Sequence, residues 1–267
     1  MIKFVEFSLF NSNFSVMNNR NKQNSFETPV GTLKVEHLAH FSLYLEWNGV
    51  KIYVDPYSDL FDFSNMEKAD VLLLTHAHGD HYDCRAIECI ATPETEFVVS
   101  ESVGWYLKGD FAKADPSTNQ VNMYEAIPFT RKCAVTVLKN GEHAVVKGID
   151  ITATPAYNIE NFRDNGNPFH IKGEGNGYML NFGGFRVYIA GDTELIPEME
   201  AFKGADILFL PKNMPFTSSD EKFIEAANYL RPKNLYPVHY FEMDAHKLAS
   251  GISKDITLYI EGKPYSE

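Results

Sequence analysis

The alternation of apolar and polar residues predicts a protein of many short strands with a few helices between them. After Thr32 come three strand-like runs, TLKVEHL, FSLYLEW and VKIYVDP, and the Asn48-Gly49 pair between the last two is typical of a hairpin turn. VLLLT (71–75) and ILFLP (207–211) are continuously apolar, which indicates strands buried on both faces. We therefore expect one layered α/β domain, and we find no internal repeat.

The rest of the pattern predicts helices, a long loop and an arm. Periodic segments predict helices near 102–109, 194–202 and 219–231. The stretch 158–177 is polar, glycine-rich and long for a connection, so we expect a functional surface loop that borders the site. Polar residues dominate much of 1–30, which predicts a flexible N-terminal arm ahead of a folded domain over 31–267.

Composition and charge narrow the class of partner. Of the 267 residues, 44% are hydrophobic and 22% are charged, as in folded globular proteins. With 24 basic and 36 acidic residues the net charge is -12, which disfavours nucleic acid and leaves a small-molecule substrate as the expected partner. Cys84, Cys89 and Cys133 form no paired pattern, which predicts reduced thiols and a cytoplasmic location. No run of about 18 apolar residues occurs, so we expect no membrane span.

The densest set of candidate metal ligands is the string THAHGDHYD, directly after VLLL. In an extended chain His76 and His78 point to the same side because they are two residues apart, so both imidazoles can reach one ion. Asp80 and His81 follow and can present an oxygen and a nitrogen to a neighbouring ion. Packing alone does not require this order of side chains, and HxHxDH therefore indicates a metal site rather than a solvated loop.

The string HxHxDH resembles the signature of the metallo-β-lactamase superfamily, and later motifs follow in the order found in that family. YIAGDTE places Asp192 where the family has an aspartate that bridges two metals, and LYPVHY places His239 where its last metal histidine falls. Taken alone, Asp192 is also typical of a helix N-cap and His239 of a structural histidine. The resemblance covers about Leu33 to the C-terminus and implies an α/β fold, the four-layer αββα sandwich.

The resemblance also implies roles for the ligands and a reaction. It assigns His76 and His78 to a first metal, Asp80, His81 and His239 to a second, Asp192 to both, and orientation of the nucleophile to Asp80 as a catalytic residue. Two cations about 3.5 to 4 Å apart lower the pKa of a shared water. We expect two divalent ions, zinc first, with manganese or iron as alternatives. The expected function is hydrolysis of a small ester, lactone or phosphodiester by a metal-bound hydroxide; the alternative is a catalytically silent metal-binding protein.

A closer resemblance is to the branch that includes L-ascorbate-6-phosphate lactonase and N-acylphosphatidylethanolamine phospholipase D, on the segments EHLAHFSLYLE and YVDP. His40 in the first segment either lines the metal cleft or fixes a loop, and Asp55 in the second is expected to fix a loop or support a ligand. For a phosphodiester, Arg163, Lys172 and Lys212 are candidate phosphate contacts.

One motif departs from the family pattern. Where a histidine commonly completes the first metal site, this chain reads TPAYN, with Tyr157 and Asn158 at the expected positions. His170, in PFHIKGEGNGY, is the nearest replacement, and its alternative is an exposed loop histidine. An amide oxygen is a weaker donor to zinc than an imidazole, so Asn158 is expected to hydrogen-bond a bound water or substrate.

Overall fold

The computed structural model describes residues 20–110 and 121–265. Their strands form two sheets that pack face to face. The first sheet contains, from edge to edge, β1 (Asn24–Thr28), β2 (Gly31–Ala39), β3 (Ser42–Trp47), β4 (Val50–Val54), β5 (Val71–Leu74), β6 (Glu96–Val99) and β7 (Val135–Val137). The second contains, also from edge to edge, β8 (His143–Val146), β9 (Ile149–Ala156), β10 (Gly175–Phe182), β11 (Phe185–Ile189), β12 (Ile207–Pro211), β13 (Asn234–Val238), β14 (Thr257–Ile260) and β15 (Lys263–Pro264).

Helices cover the outer face of each sheet. On the first sheet lie α1 (Cys84–Ile90), α2 (Glu101–Lys108), α3 (Met123–Ala126) and a 3₁₀ helix over Pro128–Lys132. On the second lie a 3₁₀ helix over Pro197–Phe202, α4 (Asp220–Leu230) and α5 (Ala245–Gly251). The expected four-layer αββα sandwich is confirmed. Among the described residues no helix has the length and apolar character needed to cross a bilayer.

The period of two along each strand divides its side chains between the layers. In β4, Ile52 joins the core between the sheets, whereas Tyr53 joins the core under the first sheet's helices. In β5, Leu73 faces inward and Leu72 and Leu74 face outward, and all three are fully buried. The sequence prediction that VLLL is a strand buried on both faces is therefore confirmed.

Strand direction decides where the loops meet. In the first sheet, β2 and β4 are each antiparallel to β3, and β4 is parallel to β5, so β2, β4 and β5 run the same way. In the second, β9 and β11 are each antiparallel to β10, and β11, β12 and β13 are parallel. The segments that follow the carboxyl ends of β2 and β5 in the first sheet and of β11 and β13 in the second approach one another at one edge of the sandwich.

Two sequence expectations need correction. Residues 24–28 of the predicted arm form β1, because Phe26 packs its ring 6.1 Å from Phe185 and 6.2 Å from Tyr259, between ring centroids. The first 19 residues of that arm lie outside the described residues. The helix predicted at 194–202 is only the 3₁₀ helix over Pro197–Phe202, because Glu194 is held by the loop that follows β9. The helices predicted at 102–109 and 219–231 are confirmed as α2 and α4.

Candidate metal centre

Every candidate ligand follows the carboxyl end of a strand or lies in the long loop after β9. His40 follows β2, the string from His76 to His81 follows β5, Asp192 follows β11 and His239 follows β13. His170 lies in the loop between β9 and β10. The two sheets thus contribute ligands from opposite sides of one cleft.

The backbone at several of these positions is held in unusual conformations. His40, Asp55 and His239 have φ values of 51°, 41° and 63°, in the left-handed region that non-glycine residues seldom adopt. The His239 N–H donates to the His40 carbonyl oxygen at 2.7 Å, which fixes the two strand ends to each other. Gly191 has φ 70°, and a Cβ there would lie 2.6 Å from a backbone oxygen, so only glycine fits before Asp192. Such local strain clusters at functional sites.

His76, His78 and His170 form a first group. Nε2 of His76 lies 3.0 Å from Nδ1 of His78, and the ring of His170 lies 5.0 and 4.9 Å from the two other rings, between centroids. One nitrogen from each ring falls within 4.8 Å of the others, a separation that one metal ion can span. The structure therefore brings His170 to the two histidines predicted to lack a third partner, and its side chain is buried rather than exposed.

His40, Asp80, His81 and His239 form a second group, with one ligand atom of each within 4.8 Å of the others. Asp80 Oδ2 lies 3.1 Å from His40 Nε2, 3.3 Å from His239 Nε2 and 3.7 Å from His81 Nε2. His40 therefore borders the cleft itself rather than only fixing a loop.

Asp192 lies between the two groups. Its Oδ2 is 3.9 Å from His76 Nε2 and 3.2 Å from His170 Nε2 in the first group. It is also 3.3 Å from His81 Nε2 and 3.1 Å from His239 Nε2 in the second. A single carboxylate thus faces both sets of nitrogens, which is the geometry that a shared ligand requires.

Several atoms of this cleft lack hydrogen bonds although they are buried. They are His81 Nε2, His170 Nε2, His239 Nε2 and Asp192 Oδ1. Leaving a buried polar group unsatisfied costs about 1 to 3 kcal/mol each. Divalent cations placed among these atoms would satisfy all of them, and the imidazole and carboxylate set is one that transition metals bind. The residues present therefore fit a metal centre.

The pKa values of the histidines differ between the two groups. Burial lowers the pKa of His76 well below its usual value, and burial and the neighbouring His170 lower that of His78 to about 3, so both rings are neutral, as ligands must be. For His239, burial is outweighed by the charge of Asp192, and its pKa rises to about 9. The carboxylates of the cleft thus require positive charge close to His239.

Comparisons with known proteins give the family. The family model described as a beta-lactamase superfamily domain matches residues 34–239, which include every residue of both groups. The chain belongs to the metallo-β-lactamase superfamily. The narrower resemblance to the lactonase and phospholipase branch stays a prediction.

Related superfamily members are named for hydrolysis. The chain is 27% identical to a metal-dependent hydrolase of Pelotomaculum thermopropionicum and 28% identical to one of Thermus thermophilus, in each case over 78% of this chain and 84% of the relative. A solved structure from Parabacteroides distasonis, named for metal-dependent hydrolysis, is 35% identical, covers 91% of this chain and 99% of its own, and has a TM-score of 0.73. A metallo hydrolase of Ignicoccus hospitalis, 22% identical, shares the fold with a TM-score of 0.62 over 85% of this chain and 94% of its own.

Asn158, in the TPAYN segment where the resemblance implies a metal histidine, makes its hydrogen bonds within the protein. Its amide does not face open space. Oδ1 accepts from the backbone N–H and Nδ1 of His170, both at 2.8 Å, and Nδ2 donates to Glu194 and to the carbonyl of Phe216. With all four hydrogen-bonding positions taken, Asn158 has none left for a substrate or a bound water.

Two supporting residues escaped the sequence analysis. Thr75 accepts a hydrogen bond from Nδ1 of His76 at 3.0 Å and donates to Asp55, and Glu194 accepts from the backbone of the loop after β9. Both are buried. Their only sequence signal was proximity to a motif, since Thr75 precedes HAHGDH and Glu194 ends GDTE.

A pocket opens beside the first group. Its walls include Trp105 and Tyr106 from α2 and Phe169 and Ile171 from the loop after β9. Ser102 and Glu174 are among its polar lining residues. Among the described residues that line it, none is Lys or Arg. The wall next to His76 and His78 thus combines aromatic and aliphatic side chains with a few polar ones, of which Glu174 carries negative charge.

Proposed function

We propose that this metal-dependent hydrolase holds two divalent metal ions and cleaves small, uncharged carboxylic esters or lactones. One observation carries the proposal: of two groups of ligand atoms that share Asp192, the first opens onto a pocket with aromatic walls, and none of the described residues that line this pocket is Lys or Arg. The proposal keeps the hydrolytic reaction that the sequence predicts and selects among the three substrate classes it left open.

The proposed division of ligands follows the two groups and the motifs of the family, and it leaves His40 of the second group as a partner of Asp80. His76, His78 and His170 would hold the first ion, and Asp80, His81 and His239 would hold the second, with Asp192 shared. Bound divalent cations supply Lewis acidity and lower the pKa of a coordinated water towards neutrality. Three imidazoles and one carboxylate suit zinc, which supports zinc over manganese for the first position.

Asp80 is the carboxylate that reaches the open side of the cleft. Its side chain is 35% exposed, whereas that of Asp192 is 3% exposed. His40 Nε2, 3.1 Å from Asp80 Oδ2, can hold that carboxylate in one orientation. In this proposal Asp80 accepts a hydrogen bond from the attacking water and orients it towards the substrate carbonyl.

The charges around the pocket favour a neutral substrate. The three cations considered for binding phosphate have partners elsewhere: Lys172 pairs with Glu198 at 2.6 Å, Lys212 with Asp220 at 2.8 Å, and Arg163 donates to the Phe169 carbonyl at 3.3 Å. A phosphodiester carries a negative charge that such side chains would normally grip. The net charge of -12 repels anions further.

The test is turnover by protein loaded with zinc, manganese or iron(II) in turn. The substrates are p-nitrophenyl butyrate, an aliphatic δ-lactone, bis(p-nitrophenyl) phosphate and p-nitrophenyl phosphate. We expect hydrolysis of the ester and the lactone, lost on chelation and in the variant His76→Ala/His78→Ala. That variant should also lose at least one equivalent of metal by elemental analysis. His143→Ala, at an exposed histidine of β8, is the matched control and should keep both properties.

Faster hydrolysis of either phosphate than of the ester would refute the substrate class. Unchanged metal content in the double variant would refute the ligand assignment. Complete inactivity with all three metals would favour the catalytically silent alternative, whose main support was the missing histidine at Asn158.

A further inference from the structure

We propose that Asn158 and Glu194 form a support that holds His170 in the position and tautomer needed to bind the first metal. Asn158 then stands in the place of a metal histidine as the holder of a substitute ligand, not as a ligand. This inference rests on the proposed function only in that it takes His170 to be a metal ligand.

Glu194 anchors the start of the loop that carries His170. Its buried carboxylate accepts hydrogen bonds from the backbone N–H groups of residues 159, 160 and 161, at 2.8, 2.6 and 2.8 Å. It also accepts from Nδ2 of Asn158 at 3.0 Å. Because Glu194 is only two residues from Asp192, the loop is tied to the same strand end that presents the shared carboxylate.

The hydrogen bonds of Asn158 fix which way its amide points. The backbone N–H of His170 can only donate, so the atom it contacts at 2.8 Å must be the oxygen Oδ1. The carbonyl of Phe216 can only accept, so the atom 2.9 Å from it must be the nitrogen Nδ2. Both constraints agree, and a flipped amide would place like partners against each other.

The same oxygen then sets the tautomer of His170. Nδ1 of His170 lies 2.8 Å from Asn158 Oδ1, and an oxygen that cannot donate requires Nδ1 to carry the proton. In the neutral ring the lone pair is therefore on Nε2. Nε2 is buried without a hydrogen bond and lies 3.2 Å from Asp192 Oδ2, on the side of His76 and His78.

The hydrogen bond between Asn158 Oδ1 and His170 Nδ1 does more than hold the loop in place. The backbones at the two positions are already joined, since the Asn158 N–H donates to the His170 carbonyl at 3.1 Å and Oδ1 accepts the His170 N–H. The bond to Nδ1 adds no further restraint on the backbone. What it controls is the direction of the imidazole and the position of its proton, as partners of metal-bound histidines commonly do.

The first experiment compares Asn158→Leu with Asn161→Ala. Asn161 is in the same loop and donates to the Thr217 carbonyl at 2.7 Å, so its variant loses a side-chain hydrogen bond without touching His170. Stepwise zinc affinities are measured by competition with a chromophoric chelator, alongside the thermal midpoint of the metal-free protein. We expect Asn158→Leu to weaken one zinc site by about 10- to 100-fold and to leave the other unchanged. Asn161→Ala should leave both affinities at the wild-type value.

A spectroscopic readout tests the same point. The visible absorption spectrum of the cobalt-substituted protein reports the ligands and geometry around the metal. It should match wild type for Asn161→Ala and change for Asn158→Leu. If Asn158→Leu does not fold, Asn158→Ser takes its place.

Three results would overturn the inference. They are wild-type zinc affinities in Asn158→Leu, equal losses in Asn158→Leu and Asn161→Ala, or unchanged zinc affinities in His170→Ala. The last result leaves the proposed function standing if His76→Ala/His78→Ala still loses metal and turnover. Retention of metal in that double variant would instead remove the metal centre itself.

Discussion

At the scale of single residues, Asp55 orients two of the candidate ligand imidazoles, one directly and one through Thr75. It accepts from Nδ1 of His81 at 2.7 Å and from the backbone N–H of Thr75 at 2.8 Å, with the carboxylate and the His81 ring fully buried. The Thr75 hydroxyl donates to Asp55 and accepts from Nδ1 of His76. Both rings therefore direct Nε2 towards the cleft. The sequence expectation that Asp55 supports a ligand agrees with this arrangement.

Replacing Asp55 should reduce both stability and metal affinity. Asp55→Ala leaves the buried N–H groups of Thr75 and His81 without acceptors, at a cost of about 1 to 3 kcal/mol for each. We also expect zinc affinity at the second site to fall by about 10- to 100-fold. Urea unfolding of the metal-free protein and chelator competition measure the two effects. Asp62→Ala is the control, since that exposed carboxylate accepts a hydrogen bond from Ser64 and has no contact with the candidate ligands in the described residues. A zinc affinity of Asp55→Ala equal to that of Asp62→Ala would exclude the orienting role.

The sequence predicted those site residues that belong to short motifs. His76, His78 and Asp80 are two residues apart, so local geometry already places them together. His170 is twelve residues from Asn158, and only the hairpin of the long loop brings the two into contact. Glu194 could not be predicted, because its partners are backbone N–H groups that any residues of the loop would supply.

At the scale of elements, α2 and the loop after β9 supply the apolar wall of the pocket beside the candidate metal centre. α2 begins after Ser100, whose hydroxyl accepts from the Val103 N–H, and ends at Gly109 with φ 76°. Val103 and Leu107 pack under the first sheet, while Trp105 lies at the pocket. The helix thus uses one face for the core and another for the site.

Trp105 should set the preference for the apolar part of the substrate. Burial of each CH₂ contributes about 0.8 kcal/mol, or roughly fourfold in kcat/KM. Across p-nitrophenyl acetate, butyrate and hexanoate we expect the wild-type kcat/KM to rise with chain length, and Trp105→Ala to flatten the rise with metal content unchanged. Tyr229→Ala, at a half-exposed aromatic of α4, should keep the wild-type slope. Equal slopes in wild type and Trp105→Ala would place the substrate elsewhere.

The prediction of elements succeeded where a pattern was strong over its whole length. The continuous apolar runs of β5 and β12 and the periodic segment of α4 are such cases. β1 was missed because its sequence, NSFET, has one apolar residue, and its pairing with β2 and the packing of Phe26 come from the rest of the molecule. Tertiary contacts there override a polar composition.

At the scale of the whole molecule, the proposed metal centre connects the two sheets. The first sheet supplies His76, His78 and His81 and the second supplies Asp192 and His239. Tyr178 of β10 adds a direct bond between the sheets, since its hydroxyl donates to the Leu74 carbonyl at 2.8 Å. Ions held in the cleft would therefore stabilise the contact between the two halves and not just one loop.

Metal should consequently raise the global stability of the protein. A ligand that binds only the folded state stabilises it by about 2.7 kcal/mol at a free concentration of 100 times Kd. For chains of about this size each kcal/mol raises Tm by roughly 2 to 4 °C, so we expect zinc to raise Tm by about 5 to 10 °C in calorimetry against a chelated sample. Because ligands from both sheets share the ions, the shift should move a single transition. The variant His76→Ala/His78→Ala should lose most of it, whereas His143→Ala should keep it. A wild-type Tm that is the same with and without the chelator would mean that the cleft holds no ion. A zinc-induced rise in Tm of equal size in the double variant would mean that zinc binds elsewhere.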